Sequence, residues 1–237
     1  MDYYKFYLNN KTFITHKDFR LTKIIKLVSE AHPNKILDIG CGDGYLLKEL
    51  KKQLPKSIFN GVDVYGTKVN GIILKTADIT KGLPYRDKSF DCIIMGEIIE
   101  HVPDPDFVLR DVRRILNMDG ILIISTPNLV SWANRIMVLL GIQPFFTETS
   151  TERNLGRYFK ILGQGQKTQG HLKIFTHKSL EEILRKEGFS VLSKYGVPFF
   201  FPFPFSLVDI IFTHFISLSS GLLYLCKYDK NNQINKE

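Results

Sequence analysis

The sequence predicts an α/β fold: a mostly parallel sheet of seven strands, helices on both faces, and an antiparallel last strand. Two observations predict it. Short apolar runs alternate with amphipathic helical patterns through residues 34–195, the signature of repeated strand–helix–strand units. The first of these runs closes in glycines at alternate positions, Gly40-Cys41-Gly42-Asp43-Gly44, and a helical pattern starts directly after them, so a buried strand turns sharply into a helix.

In chain order, residues 18–31 place Leu21, Ile24, Ile25, Leu27 and Val28 on one side, an amphipathic helix that caps the sheet. Strand-like runs follow at 35–39, 57–62, 72–76, 90–95 and 120–125, with helices at 45–53 and 107–116. A further helix over 181–186 is closed by Gly188, a residue suited to the left-handed C-terminal position. Residues 191–195 and 222–226 read as the last two strands, an antiparallel pair at the sheet edge. The expected organisation is a helical cap over 1–33, a core over 34–195 with an insertion at 129–173, an apolar insertion plus the last strand over 196–226, and a polar tail over 227–237.

Two segments depart from a regular doubly wound plan. Residues 65–71 are too short for a crossover helix between the second and third strands,. Residues 196–225 carry one charge, Asp209, and many Phe, Ile and Leu. Pro202 and Pro204 forbid regular structure in the first part. Asp209, His214 and the serines at 217, 219 and 220 argue against a membrane span,. Three roles fit this stretch: packed core, a lid over a lipid-like substrate, or an interfacial anchor.

The length of 237 residues suits one domain with appendages,. Cys41, Cys92 and Cys226 are far apart, without metal spacing or a disulfide framework, which fits a reducing cytoplasm. The opening residues lack a cationic start followed by an apolar core, so no leader is expected. The net charge of +8 is spread over lysines at 17–26 and 48–56 and arginines at 110–114, positions that read as solvent faces of helices. Nucleic acid is therefore not the expected partner; an anionic lipid surface fits at least as well.

The glycine turn narrows the chemistry. A dinucleotide fingerprint places its third glycine one residue later, where this chain has Tyr45,. A Walker-type phosphate loop is excluded because no Gly-Lys-Ser/Thr follows. Asp38-Ile39-Gly40-Cys41-Gly42-Asp43-Gly44 instead matches D-x-G-x-G-x-G. With Gly61-Val62-Asp63-Val64, Ala77-Asp78-Ile79, residues 83–91, and Glu97 to Pro105 following in order, the chain resembles the class I S-adenosylmethionine-dependent methyltransferases over residues 34–191.

That resemblance implies a Rossmann-like fold and S-adenosylmethionine as cofactor; methyl transfer from a sulfonium has a good neutral leaving group, so no metal is expected. It implies that Gly40, Cys41, Gly42 and Gly44 receive the methionine part, with Asp38 orienting the ammonium group. Asp63, followed by Val64, would hold the ribose; Asp78 would accept from the adenine amino group with Ile79 against the ring. Gly96 and Glu97 complete this side after the fourth strand. For Asp38, Asp63 and Asp78 a turn-capping role is the plain alternative.

His101 is a candidate general base for a hydroxyl or phenol, because an ordinary imidazole titrates near neutrality. A rate rising with pH through the neutral range would follow. The alternative is a hydrogen bond to the turn at 103–105. His171 is a second candidate base, its alternative being a hydrogen bond at the entry of the next helix. No Asn/Asp-Pro-Pro-Tyr segment follows the fourth strand, which argues against amino-methylating DNA enzymes. Thr126-Pro127-Asn128 and His171 to Thr176 are similar to the quinone- and glycan-pathway O-methyltransferases. Substrate selection is expected in 129–173, which holds Trp132, Asn134, Arg135 and Glu148,.

The expectation is a cytoplasmic methyltransferase acting at oxygen on a small or amphipathic acceptor, with peripheral membrane contact or a homodimer covering the apolar stretch. Two rivals are an RNA-modifying methyltransferase, suggested only by charge, and a catalytically silent adaptor with the same fold.

Overall fold

In the computed structural model, which describes residues 19–66, 68–199 and 201–229, seven strands form one sheet in the order β3-β2-β1-β4-β5-β7-β6. The strands are β1 Lys35–Ile39, β2 Ile58–Asp63, β3 Ile73–Thr76, β4 Phe90–Gly96, β5 Leu116–Pro127, β6 Phe189–Val197 and β7 Gly221–Tyr228. The pairs among β1 to β5 are parallel, while β7 runs antiparallel to both β5 and β6. The last strand is thus inserted between β5 and β6, and β6 is the edge. The predicted fold class stands, with the antiparallel strand where it was expected.

Helices cover both faces. On one face lie α1 Phe19–Ala31 and α2 Tyr45–Gln53, whose Leu21, Ile24, Val28, Leu46, Leu47 and Leu50 pack on Ile36, Phe59, Cys92 and Ile94. The other face carries α3 Pro105–Ile115 and α5 His177–Lys186, with α4 Trp132–Leu139 between them in the chain. α3 buries Val108, Leu109, Val112 and Ile115, the one-sided spacing of a surface helix. Its start is fixed by the Asp104 side chain, which accepts from Phe107 N at 2.9 Å, and by Pro105; such a cap contributes about 1 kcal/mol. α5 begins four residues before its predicted start because Thr176 and Ser179 form a reciprocal cap,.

Several expectations need correcting. The tail does not begin at 227: Lys227 and Tyr228 belong to β7, and residues 230–237 lie outside the described residues. So does most of the proposed cap, residues 1–18, including Asp18. β5 begins four residues before its predicted start, with a register shift opposite Phe90 and Cys92. Between β2 and β3 no helix lies among the described residues, as the short connection implied, and Ile73 on the edge strand is 54% exposed. No helix of the described residues is long and apolar enough to cross a membrane.

The sheet order reverses between β1 and β4. The loops leaving the carboxyl ends of these two strands therefore diverge and leave a crevice, where open α/β sheets bind ligands.

Candidate active site

The loop after β1 lines one side of that crevice. Gly40, Gly42 and Gly44 all adopt positive φ, at 75°, 53° and 73°, a region costly for residues with a Cβ. The glycines have different reasons. A Cβ on Gly40 would stand 2.0 Å from Ile98 Cδ1, so this glycine lets the loop after β4 approach. A Cβ on Gly42 would meet nothing of the described residues within 4 Å, so among them this position leaves room for a ligand against the main chain.

Carboxylates brace the loop. Asp63 Oδ2 accepts from Gly42 N at 2.8 Å, and Oδ1 accepts from Tyr65 N at 3.1 Å. Asp38, at the end of β1, is 5% exposed. Burial, then the nearby Asp63 charge, pushes its pKa up to about 8, against the pull of Arg20. Cys41 is buried, and burial raises its thiol far above the ordinary range. Val64 is half-buried at the end of β2.

Asp78 sits two residues beyond β3 and caps a short turn, Ile79–Lys81. Its Oδ1 accepts from Thr80 N and Oγ1 at 3.0 and 2.6 Å, and Oδ2 faces Lys81 Nζ at 3.4 Å. The Thr80 and Lys81 contacts outweigh partial burial and lower its pKa. Ile79 is half-buried against the core.

The loop after β4 forms the opposite side. Gly96 ends the strand, and Glu97 holds φ 56°. Glu97 Oε1 lies 3.1 Å from Arg20 Nη1 and accepts from Ser125 Oγ at 2.8 Å. The short turn Ile99–His101 then delivers Glu100 and His101. Glu100 is fully buried. Its Oε2 accepts from Thr126 Oγ1 at 3.0 Å, and its main-chain carbonyl accepts from Leu172 N and Lys173 N at 2.7 and 3.0 Å. Burial raises its pKa to about 7.

The tertiary fold brings His171 beside His101, with ring centroids 4.7 Å apart. His101 Nδ1 lies 3.2 Å from Gly170 O, and His171 Nδ1 lies 2.9 Å from Phe146 O. A carbonyl can only accept, so each Nδ1 carries the hydrogen and each Nε2 the lone pair. Burial is the main cause that lowers both imidazoles to about pKa 4, aided at His101 by its neighbour His171 and at His171 by Arg157. The expected titration near neutrality is therefore corrected: both rings are neutral there. The expected hydrogen bond from His101 to the turn at 103–105 is replaced by the one to Gly170. Glu148 holds this second loop in place, accepting from Gln169 N, Gly170 N and His171 N at 2.5, 2.9 and 3.2 Å.

Beyond the histidines runs an aromatic wall. Phe146 lies 5.8 Å from His171 and 4.5 Å from Phe199; Phe145 and Trp132 both meet Phe201, at 5.8 and 5.6 Å. Trp132 also stacks on Phe205 and Phe212 of α6 Phe205–Phe212. The buried Asp209 carboxylate ties this unit together, accepting from Trp132 Nε1, Ser220 Oγ and Phe199 N. At the outer end Phe203, Leu207, Ile211 and Phe215 are 54–79% exposed. The apolar stretch is thus core at Asp209 and surface at its outer side chains.

Sequence reasoning missed Arg20, Glu100 and Phe146, and read Ser125 and Thr126 only as the end of the fifth strand, without their carboxylate partners. Glu100 had a signal, since it adjoins His101 in the quoted motif. Phe146 had none, because its partner His171 lies 25 residues away.

Residues 14–194 match a family model described as a methyltransferase domain. Among curated relatives, a ubiquinone biosynthesis O-methyltransferase of Histophilus somni (strain 2336) is 30% identical over 141 residues, covering 52% of this chain and 57% of the relative. A demethylmenaquinone methyltransferase of Lactobacillus johnsonii is 31% identical over 173 residues, covering 65% and 66%. The chain thus spans less than two thirds of the length of these relatives. Among solved structures, the Burkholderia thailandensis 1,6-didemethyltoxoflavin-N1-methyltransferase matches with a TM-score of 0.57 at 14% identity, covering 90% of this chain and 80% of that one, a likeness of fold. With a glycine loop and a braced aspartate at the β1–β4 crevice, and with most of its length inside the family model, the chain belongs to the methyltransferase-domain family, the class I methyltransferases that its motifs resemble.

Proposed function

We propose that this protein transfers a methyl group from S-adenosylmethionine to an oxygen of a small or amphipathic acceptor. The observation that carries the cofactor half is the glycine loop. Gly42, at positive φ, has none of the described residues within 4 Å of where a Cβ would stand, and a buried carboxylate, Asp38, lies near the base of the loop. These residues fit the cofactor. The loop at 40–44 would take its amino-acid end, Asp38 would pair with its ammonium, Asp63 and Val64 would border the ribose, and Asp78 with Ile79 the adenine. Gly96 and Glu97 would close the β4 side. Bound there, the cofactor supplies an electrophilic methyl on a sulfonium, with a neutral thioether as leaving group. The chain's own part is to orient the acceptor and exclude water.

The acceptor half rests on His101 and His171. Two neutral imidazoles at the same sheet edge offer lone pairs to an incoming hydroxyl or phenol, the kind of group from which a proton must be drawn. The wall from Phe146 to Trp132 suits an apolar acceptor body. Its exposed end, with Phe203, Leu207, Ile211 and Phe215, suits contact with a lipid surface from which such an acceptor would come. The relatives named for quinone biosynthesis agree with that chemistry at the level of family.

The direct test is calorimetry with S-adenosylmethionine and with NADH, followed by incubation of the protein with methyl-labelled cofactor and fractionated cell extract. Binding of the first ligand alone, with label in a lipid-soluble fraction as an alkali-stable ether, is the expected result. NADH binding without S-adenosylmethionine binding would overturn the proposal. Label confined to RNA would favour the RNA-modifying rival, and cofactor binding with no labelled product from any fraction the silent adaptor.

A further inference from the structure

We propose that Glu100, His101 and His171 form a binding site for a divalent first-row transition ion. The placement as an acceptor-side ion rests on the methyl-transfer reading above; the binding itself does not.

The three residues come from two loops at the crevice, and one ligand atom from each lies within 4.8 Å of the others. Their preparation for a cation is specific. Each imidazole donates Nδ1–H to a main-chain carbonyl, Gly170 O or Phe146 O, which places the lone pair on Nε2. Metal-bound histidines are oriented in this way by a partner on the other nitrogen. Glu100 is prepared too. Thr126 Oγ1 occupies Oε2, while Oε1 is buried and accepts no hydrogen bond among the described residues. A buried carboxylate oxygen without a donor is a costly arrangement that calls for a compensating charge.

The neighbouring histidine does not supply that compensation. Glu100 Oε1 and His101 Nε2 stand 3.8 Å apart, too far for a hydrogen bond. Two ligands of one tetrahedral ion at ordinary bond lengths are separated by about 3.3 Å, so a small side-chain rotation brings this pair to chelating distance. The supports around the site are already made. Glu148 grips the main chain of Gln169, Gly170 and His171 through three N–H groups, and Leu172 N and Lys173 N grip Glu100 O. Two imidazoles and one carboxylate are the donor set of zinc and its first-row neighbours, not of magnesium or calcium, which favour oxygen. Three protein ligands leave coordination positions open. An acceptor hydroxyl in one of them would be acidified, as metal-bound water is, and would release its proton to solvent water. In this reading His101 and His171 act as ligands rather than as bases, contrary to the expectation of a metal-free enzyme.

The test uses the untagged full chain, dialysed against chelator and titrated with Zn²⁺ by calorimetry and with Co²⁺ by visible d–d absorption. One ion per chain is expected, with a Co²⁺ spectrum of low-symmetry nitrogen and oxygen coordination. Glu100→Gln preserves shape and the Thr126 bond yet should weaken binding about 100-fold or more, and His171→Gln should do the same. Circular dichroism checks that each variant is folded; if Glu100→Gln does not fold, His171→Gln carries the test. Absence of binding, or binding equally tight in the folded variants, overturns the proposal. S-adenosylmethionine titration of the chelated protein separates the two readings. Cofactor binding without ion binding leaves the methyltransferase reading standing alone, and ion binding without cofactor binding leaves only the metal site.

Discussion

Asp38 offers the sharpest test of the cofactor site. Its carboxyl is buried at the end of β1 and, with Asp63 nearby, holds a pKa of about 8. Without ligand it is therefore mostly protonated at pH 7. An ammonium group placed against it favours the ionised form and lowers its pKa by about 1–3 units, the usual effect of an opposite charge. Binding must then release a proton. Starting from about 8, that shift implies an affinity that rises about 5- to 50-fold between pH 6 and pH 8, and a release of about 0.4–0.9 proton at pH 7. The rise ends near pH 8, where Asp38 is ionised and an α-ammonium begins to lose its own proton. Calorimetry with S-adenosylhomocysteine in buffers of different ionisation enthalpy reads both quantities. Asp38→Asn should bind more weakly at pH 8 and lose the pH dependence. An affinity flat from pH 6 to 8 with no proton release, or an unchanged profile in Asp38→Asn, would refute the pairing. The same group sets a stability trend. A native carboxyl with a raised pKa binds more protons than the unfolded chain, so stability falls as pH rises from about 4 to about 8. Asp38→Asn should remove that decline, with thermal midpoints at pH 8 above those of the wild type.

Three further outcomes follow from the geometry. Asp63→Ala removes a charged acceptor from two main-chain N–H groups; at about 1.5–3 kcal/mol for such a bond, cofactor affinity should fall tenfold or more, and unchanged affinity by calorimetry would place the ribose elsewhere. Gly42→Val should abolish cofactor binding because its side chain enters the open space, with a backbone cost of only about 1–2 kcal/mol; Gly40→Ala, pressed against Ile98, should instead lower the thermal midpoint. Polar replacement of Leu207, Ile211 and Phe215, all more than half exposed, should end partition onto anionic liposomes without moving the midpoint, whereas a polar residue at Phe212, stacked on Trp132, should lower it; a triple variant that still partitions would remove the lipid-surface reading.

The local sequence determined the sheet and the turns that form one half of the candidate site. Strand runs, the alternating glycines and the aspartates that follow them are encoded within a few residues of each other, because turn geometry and strand burial are short-range constraints. The strand ends and turns at residues 38–44, 61–64 and 77–79 are therefore legible from local pattern, while the cofactor roles expected there come from the family resemblance. The half around His101 and His171, proposed to meet the acceptor, was not legible in the same way. His101 and His171 were visible as single candidates, but their contact at 4.7 Å, and the shared Glu100, depend on a loop folding back over 70 residues. Their protonation was misjudged for the same reason: an ordinary imidazole titrates near neutrality, and only burial by distant chain segments lowers it. The apolar stretch after β6 shows the division most clearly. Its composition announced a core, a lid or an anchor without choosing. The tertiary structure decides only which side chains are covered: one buried carboxylate, Asp209, collects Trp132, Ser220 and Phe199 and leaves Leu207 and Ile211 of α6 exposed.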